Sequence, residues 1–301
     1  MTTQIDQLNR RFGADGTITF KELAPGFPAL ELDNGQARAT IALQGAQVMT
    51  WAPRGQQPVI WLSRAAKFAP GKSIRGGVPV CWPWFGVHAT EPSFPAHGFA
   101  RTVPWELLDA QTRDGETRLR LRIAPGAAPP AQRPSGAEAT IEITVGAALG
   151  LSLITRNNGA QPLALTEALH TYFEVGDVRS VAVHGLDGLA YLDKVEGLAR
   201  KRQAGAVTVS GEVDRIYLDS VADCIIDDPI SNRRIRIAKR GSRSTVVWNP
   251  WIEKAAKMGD LGEDGYLHMI CVESGNAAEN VVQIAPGAEH RMTVRYTVEP
   301  L

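Results

Sequence analysis

A chain of 301 residues that is 44% hydrophobic and 21% charged has the composition of a soluble globular protein. Its 32 basic and 32 acidic residues cancel, which removes the electrostatic argument for nucleic acid or an anionic membrane as a partner. No apolar run approaches the ~20 residues needed to cross a bilayer. The polar opening MTTQIDQLNRRFGADG lacks the apolar stretch of a signal peptide, and Cys81, Cys224 and Cys271 lie far apart. Reduced thiols in a cytoplasmic protein are expected, with no zinc-ligand spacing.

In chain order, Thr3 to Phe12 reads as a short helix and Asn34-Gly35 as a turn between strands. Ser73 to Arg101 resists both helix and strand. Four prolines and four glycines in 29 residues remove donors and free the backbone, while its Trp, Phe, Val and Ile argue against disorder. Asp114-Gly115 is a hairpin turn. Arg118 to Ile123 then alternates, with Leu119, Leu121 and Ile123 on one face and arginines on the other. Ala124 to Ala139 (APGAAPPAQRPSGAEA) reads as a surface loop, and Thr140 to Val145 as the next alternating strand. Asn158-Gly159 is a further turn, Arg233 to Ile237 and Met292 to Val298 alternate again, and Trp251 to Met258 is a second short helix. With no repeat and no linker, residues 1–301 are expected to form a single all-β domain, a large antiparallel β-sandwich with a few short helices.

The irregular segment carries cations and aromatics together. Arg75 and Arg101 bracket it, and a guanidinium fork matches phosphate or carboxylate bidentately. Gly76-Gly77 would let backbone approach a ligand closely. Trp82, Trp84 and Phe85 could stack on a sugar ring or equally pack in a core. His97, between Pro95-Ala96 and Gly98, suggests a shaped turn that presents an imidazole. In Leu165 to Phe173, extended backbone puts Thr166, Ala168, His170 and Tyr172 on one face. His170 can serve as a proton carrier or as a partly buried structural histidine. Glu273 ends an apolar run before Ser274-Gly275; if partly buried, it would hold its proton more tightly and could act as a base near neutrality. Asp219, after Arg215 to Leu218, could hold a hydroxyl or cap a turn.

Several separated blocks together resemble the aldose 1-epimerase (mutarotase) superfamily, and within it the branch acting on hexose 6-phosphates, the glucose-6-phosphate 1-epimerases. They are IALQGAQVMTW (41–51), IWLS (60–63), IRGGVPVCWPWF (74–85), HGFAR (97–101), Leu165 to Phe173, Tyr217 to Asp219, WNPW (248–251) and Cys271 to Glu273. The likeness spans roughly residues 30 to 298, and the block from Ile74 to Arg101 is its most specific part. It implies a galactose mutarotase-like sandwich whose concave face holds the sugar. By this resemblance His170 and Glu273 match the catalytic pair, His97 a second active-site histidine, and Asp219 a substrate-binding aspartate. Arg75 and Arg101 match phosphate-binding residues; apart from the resemblance, the aromatics of the segment, Trp82 and Phe85 among them, are expected to shape the wall. The implied reaction interconverts the anomers of a hexose 6-phosphate, with Glu273 as base and protonated His170 as acid. It needs no cofactor and no metal, and a monomer is the default expectation. A mutarotase of neutral aldoses and a non-catalytic sugar-phosphate binder are the alternatives.

Overall fold

A computed structural model describes residues 3–14 and 16–301. The alternating stretches become strands of one eight-stranded sheet. Glu116–Ile123 buries Leu119 and Leu121 and turns its arginines outward. Asp114 and Gly115, both at positive φ (53° and 79°), close the hairpin from Trp105–Arg113, the turn whose twist suits adjacent antiparallel strands. The sheet order is Ala182–His184, Cys224–Asp228, Arg233–Arg240, Glu289–Pro300, Leu149–Asn157, Ala137–Val145, Glu116–Ile123, Trp105–Arg113. Residues 137–139, expected in the loop, belong to a strand instead. Ala137 and Ala139 are buried and pair with Asn157 and Thr155.

A second eight-stranded sheet faces it. Its order is Ala199–Arg202, Ala190–Asp193, Val213–Tyr217, Ser244–Asn249, Met269–Asn276, Glu167–Leu169, Val80–Cys81, with Tyr172–Glu174 also paired to Met269–Asn276. Ile141, Leu151 and Val294 of the first sheet and Phe173, Val247 and Val272 of the second share one apolar core. Each fully buried side chain of this kind stabilises by about 2 kcal/mol. A four-stranded sheet over residues 18–53 adds Ile41 and Trp51 to that core. Every strand ladder is antiparallel, from Ile18↔Leu32 through Thr293↔Ser152, so the architecture is an all-β sandwich. The two expected short helices are present as Gln4–Phe12 and Trp251–Ala256; Thr3 and Asp6 form a reciprocal cap on the first. No helix among the described residues is long and apolar enough to cross a membrane.

The outer face of the second sheet carries the site. Along Met269–Asn276, Ile270 and Val272 point into the core, so Cys271 and Glu273 take the opposite face. Register then places Val246 across from Glu273, Trp248 across from Cys271, and Asp214 across from Trp248.

Candidate active site

Glu273 was expected at a strand end; it lies inside Met269–Asn276 with its side chain 1% exposed. The strand runs on because Ser274 and Gly275 pair on both sides, with Leu169 and Ala168 and with Thr245 and Ser244. Gly275 fits there because a Cβ would come within 2.5 Å of the Glu167 carbonyl oxygen.

His170 follows Glu167–Leu169 at a break in the extended chain. Its N–H donates to the Pro79 carbonyl, while Thr171 N–H turns back to Leu169 O. The imidazole Nε2 reaches 3.3 Å from Glu273 Oε1. Tyr172 stacks on the ring at 5.0 Å and Trp248 meets it edge-on at 5.9 Å. Arg75 donates from Nη1 to the Tyr172 hydroxyl (2.9 Å) and from Nε to Asp260 (3.1 Å). Two of its five N–H donors are thus spent on protein and three remain.

The Ser73–Arg101 segment folds over this pair. Phe85 N–H donates to Thr166 Oγ1. Gly86 and His97 exchange bonds: His97 N–H donates to Gly86 O, and Gly86 N–H reaches His97 Nδ1 at 3.4 Å. His97 sits at φ 69°, a left-handed conformation that costs a non-glycine residue about 1 kcal/mol. The turn aims its ring against Phe85 and to within 5.7 Å of the His170 ring. With Nδ1 accepting, Nε2 carries the hydrogen and faces outward as a donor. Arg101 donates from Nη2 to Ala96 O and has no carboxylate partner among the described residues.

One cavity of about 290 Å³ brings together Arg75, Phe85, His97, Arg101, His170 and Glu273. Trp82, Trp84 and Asp219 are elsewhere. Trp82 is 1% exposed and packs between the sheets, donating to Thr155 and lying edge-on to Phe99; the core reading holds for it. Trp84 is also buried, donating to Pro95 O and stacking on Phe94. Asp219 sits at φ 51° on an exposed turn, paired with Arg243 and Asn280. That left-handed turn carries it off the sheet face, away from the cavity. Gly76 and Gly77 meet protein rather than ligand: added Cβ atoms would press on Trp61 O and Val48 O.

A second acid in the cavity, beside Glu273, is Asp214, on Val213–Tyr217, with Lys194 Nζ at 3.0 Å and Lys254 Nζ at 3.7 Å. The signal for it was a charged residue within the run Val213-Asp214-Arg215-Ile216-Tyr217, in which Asp214 and Ile216 share the face opposite Val213 and Tyr217. Lys194 and Lys254 line the same wall and carry no pattern in the sequence.

Burial dominates the proton chemistry. It pushes Glu273 well above the carboxylate range, aided by Asp214 and opposed by Lys194 and Arg101. It holds His170 well below the imidazole range, aided by His97 and Arg101. Burial also lowers His97 to about 3, with Arg101 and Lys194 contributing. The contact between His170 and Glu273 therefore has the spacing of an ion pair while burial favours its neutral form. Burial thus favours a proton on the Glu273 carboxyl over one on His170, whereas the sequence reading has His170 protonated. One proton held between two groups 3.3 Å apart is what a two-site proton exchange requires.

Residues 28–297 match the family model described as aldose 1-epimerase. The chain is 36% identical over 247 residues to a Salmonella typhimurium protein named "Putative glucose-6-phosphate 1-epimerase", covering 81% of each. An Escherichia coli protein of the same name is 36% identical over 249 residues, covering 82% of this chain and 83% of that one. A crystal structure described as a "putative mutarotase" from Salmonella typhimurium superposes with a TM-score of 0.88 at 32% identity, over 95% of this chain and 94% of that one. A galactose mutarotase-like protein from Clostridium acetobutylicum, 12% identical with a TM-score of 0.67, shares the fold.

Proposed function

The chain belongs to the aldose 1-epimerase family, and from that premise we propose that it interconverts the α and β anomers of D-glucose 6-phosphate and related hexose 6-phosphates. The observation that carries this reading is a single cavity that holds both the His170–Glu273 pair and Arg101, a guanidinium without a carboxylate partner among the described residues. A neutral aldose has no group for such a cation, whereas a 6-phosphate takes two of its N–H donors at once. Arg75 adds its remaining donors.

The mechanism follows from the pair. Glu273 accepts the proton of the C1 hydroxyl while His170 delivers a proton to the ring oxygen. The C1–O5 bond breaks and leaves the free aldehyde. Rotation about C1–C2 turns the other carbonyl face toward O5, and the reverse transfers close the ring as the other anomer. The pair begins and ends with one proton. To start, that proton must pass from Glu273 to His170. A phosphate on Arg101 favours this, because it offsets a positive charge that works against protonating His170. Each positioned proton carrier contributes about 100- to 10,000-fold. His97 donates from Nε2 to a sugar oxygen, and Asp214 accepts from a ring hydroxyl. Anchoring the phosphate far from C1 fixes the sugar's register for the transfer.

The deciding measurement is magnetisation exchange between the anomer signals of glucose 6-phosphate by NMR. Catalysed exchange that is much faster for the 6-phosphate than for glucose is expected. Equal acceleration of both sugars would overturn the phosphate reading and leave a neutral-sugar mutarotase.

A further inference from the structure

We infer that His170, Cys271 and Glu273 together form a site for a thiophilic divalent cation of the zinc type, and that the cation shuts off proton exchange when it binds. One ligand atom from each residue lies within 4.8 Å of the other two. Cys271 and Glu273 are two apart on one strand and so share a face. His170 Nε2 is 3.3 Å from Glu273 Oε1. A second observation points the same way: Glu273 Oε2 is buried and has no hydrogen-bond partner among the described residues. Buried carboxylate oxygens are normally satisfied, and a cation would satisfy this one.

The donor set selects the metal. Imidazole, thiolate and carboxylate are zinc ligands, held at about 2.0 to 2.3 Å in tetrahedral geometry. Magnesium and calcium require six or more oxygens and have no such shell here. Tetrahedral bonds of that length place donor atoms about 3.4 to 3.8 Å apart, so the cluster must contract by up to about an ångström on binding. Three protein ligands leave a fourth position for water or a sugar hydroxyl. Cys271 lies beneath the cavity floor, packed with Trp61, Tyr172 and Trp248, and does not itself line the cavity. Coordination requires a thiolate, so binding releases the thiol proton together with any proton on Glu273. The bound cation occupies the imidazole lone pair and the carboxylate oxygen that the exchange uses. The inhibition rests on the acid–base assignment above; the binding does not.

The test uses the full chain, washed free of metal and titrated with zinc chloride. Calorimetry in two buffers of different ionisation enthalpy reads binding and proton release, and anomer exchange reads activity. The wild type should bind one zinc per chain at micromolar concentration with net proton release. Exchange should fall more than tenfold and recover with EDTA, while millimolar magnesium should do nothing. Cys271→Ala should exchange anomers at the wild-type rate and bind zinc at least about tenfold more weakly. Cys271→Ser serves the same purpose if the alanine variant does not fold. Equal zinc affinity in the wild type and both folded variants, or no stoichiometric binding, would overturn the site. Zinc bound through Cys271 without loss of exchange would uphold the site and overturn the switch and, with it, His170 and Glu273 as the reacting pair.

Discussion

Replacing Asp214 by asparagine changes one oxygen to an amide and removes one charge from the wall of the cavity. The side chain is 8% exposed, so solvent screens its hydrogen bond to a sugar hydroxyl very little. A hydrogen bond to a charged group contributes about 1.5 to 3 kcal/mol, which converts to roughly 10- to 100-fold in kcat/KM. The hydroxyl is held in ground and transition states alike, so most of the loss should appear in KM. A second effect has a definite sign. Asp214 raises the proton affinity of Glu273, which Lys194 opposes. Removing the negative charge lets Glu273 ionise more easily, so the acid limb of the pH profile should move to lower pH. Asp219→Asn is the matched control. Its partner Arg243 is exposed, as it is itself, so the pair is worth under about 1 kcal/mol and no sugar is in reach. Initial rates of anomer exchange from pH 5 to 9 for the three proteins decide the matter. A larger loss from Asp219→Asn, or an acid limb displaced upward in Asp214→Asn, would refute the reasoning.

Other outcomes are expected together. Glu273→Gln and His170→Ala should each lower kcat by about 100-fold or more while circular dichroism stays unchanged; near-normal exchange by either variant would remove it from the reaction. Arg101→Ala should raise KM for glucose 6-phosphate about tenfold or more but should not slow the exchange of glucose, since it removes a charge that opposes protonating His170, so an equal loss with both sugars would place Arg101 in a general rather than a phosphate role. Lys239 is buried among Ser220, Ser244 and Thr245 oxygens, and burial lowers it to about 8. Between pH 8 and about 10.5 the unfolded chain therefore binds more protons there, and this residue's contribution to stability rises with pH, by up to about 1.4 kcal/mol per unit. Urea unfolding should show the stability of Lys239→Met relative to the wild type declining over that range, and a constant difference would contradict a buried, titrating ammonium.

The strands that face the core on one side were legible because alternation is the imprint of a half-buried sheet. Leu119 and Leu121 against their arginines are the clearest case, and Asp114-Gly115 marked its own hairpin. The second sheet was harder to read, since Met269–Asn276 is buried on both faces and shows no alternation to mark its end. Glu273 accordingly looked terminal. Arg75, His97, Arg101 and Phe85 line the cavity because the irregular segment is long enough to curl over the sheet. Trp82 does not, since composition says an aromatic is needed and says nothing of which side of the chain it takes. Asp214 and Asp219 are five residues apart. Choosing between them requires knowing that the strand ends at Tyr217 and that a left-handed turn follows; neither is written in the residues themselves. The location of the shared proton was also out of reach, because it depends on how completely the pair is buried.

The loop from Ser73 to Arg101 is fastened near both ends by backbone packed on backbone, Gly76 against Trp61 and Gly98 against Trp82. Between those fastenings lies a tip with Val87 69% exposed. A change confined to that exposed tip leaves Arg75 and Arg101 in place, while Phe85 and His97, carried by the same segment, tie it to the reacting pair through the His97–His170 contact at 5.7 Å. Descendants of such a chain could acquire new sugar preferences through the loop without relearning the chemistry.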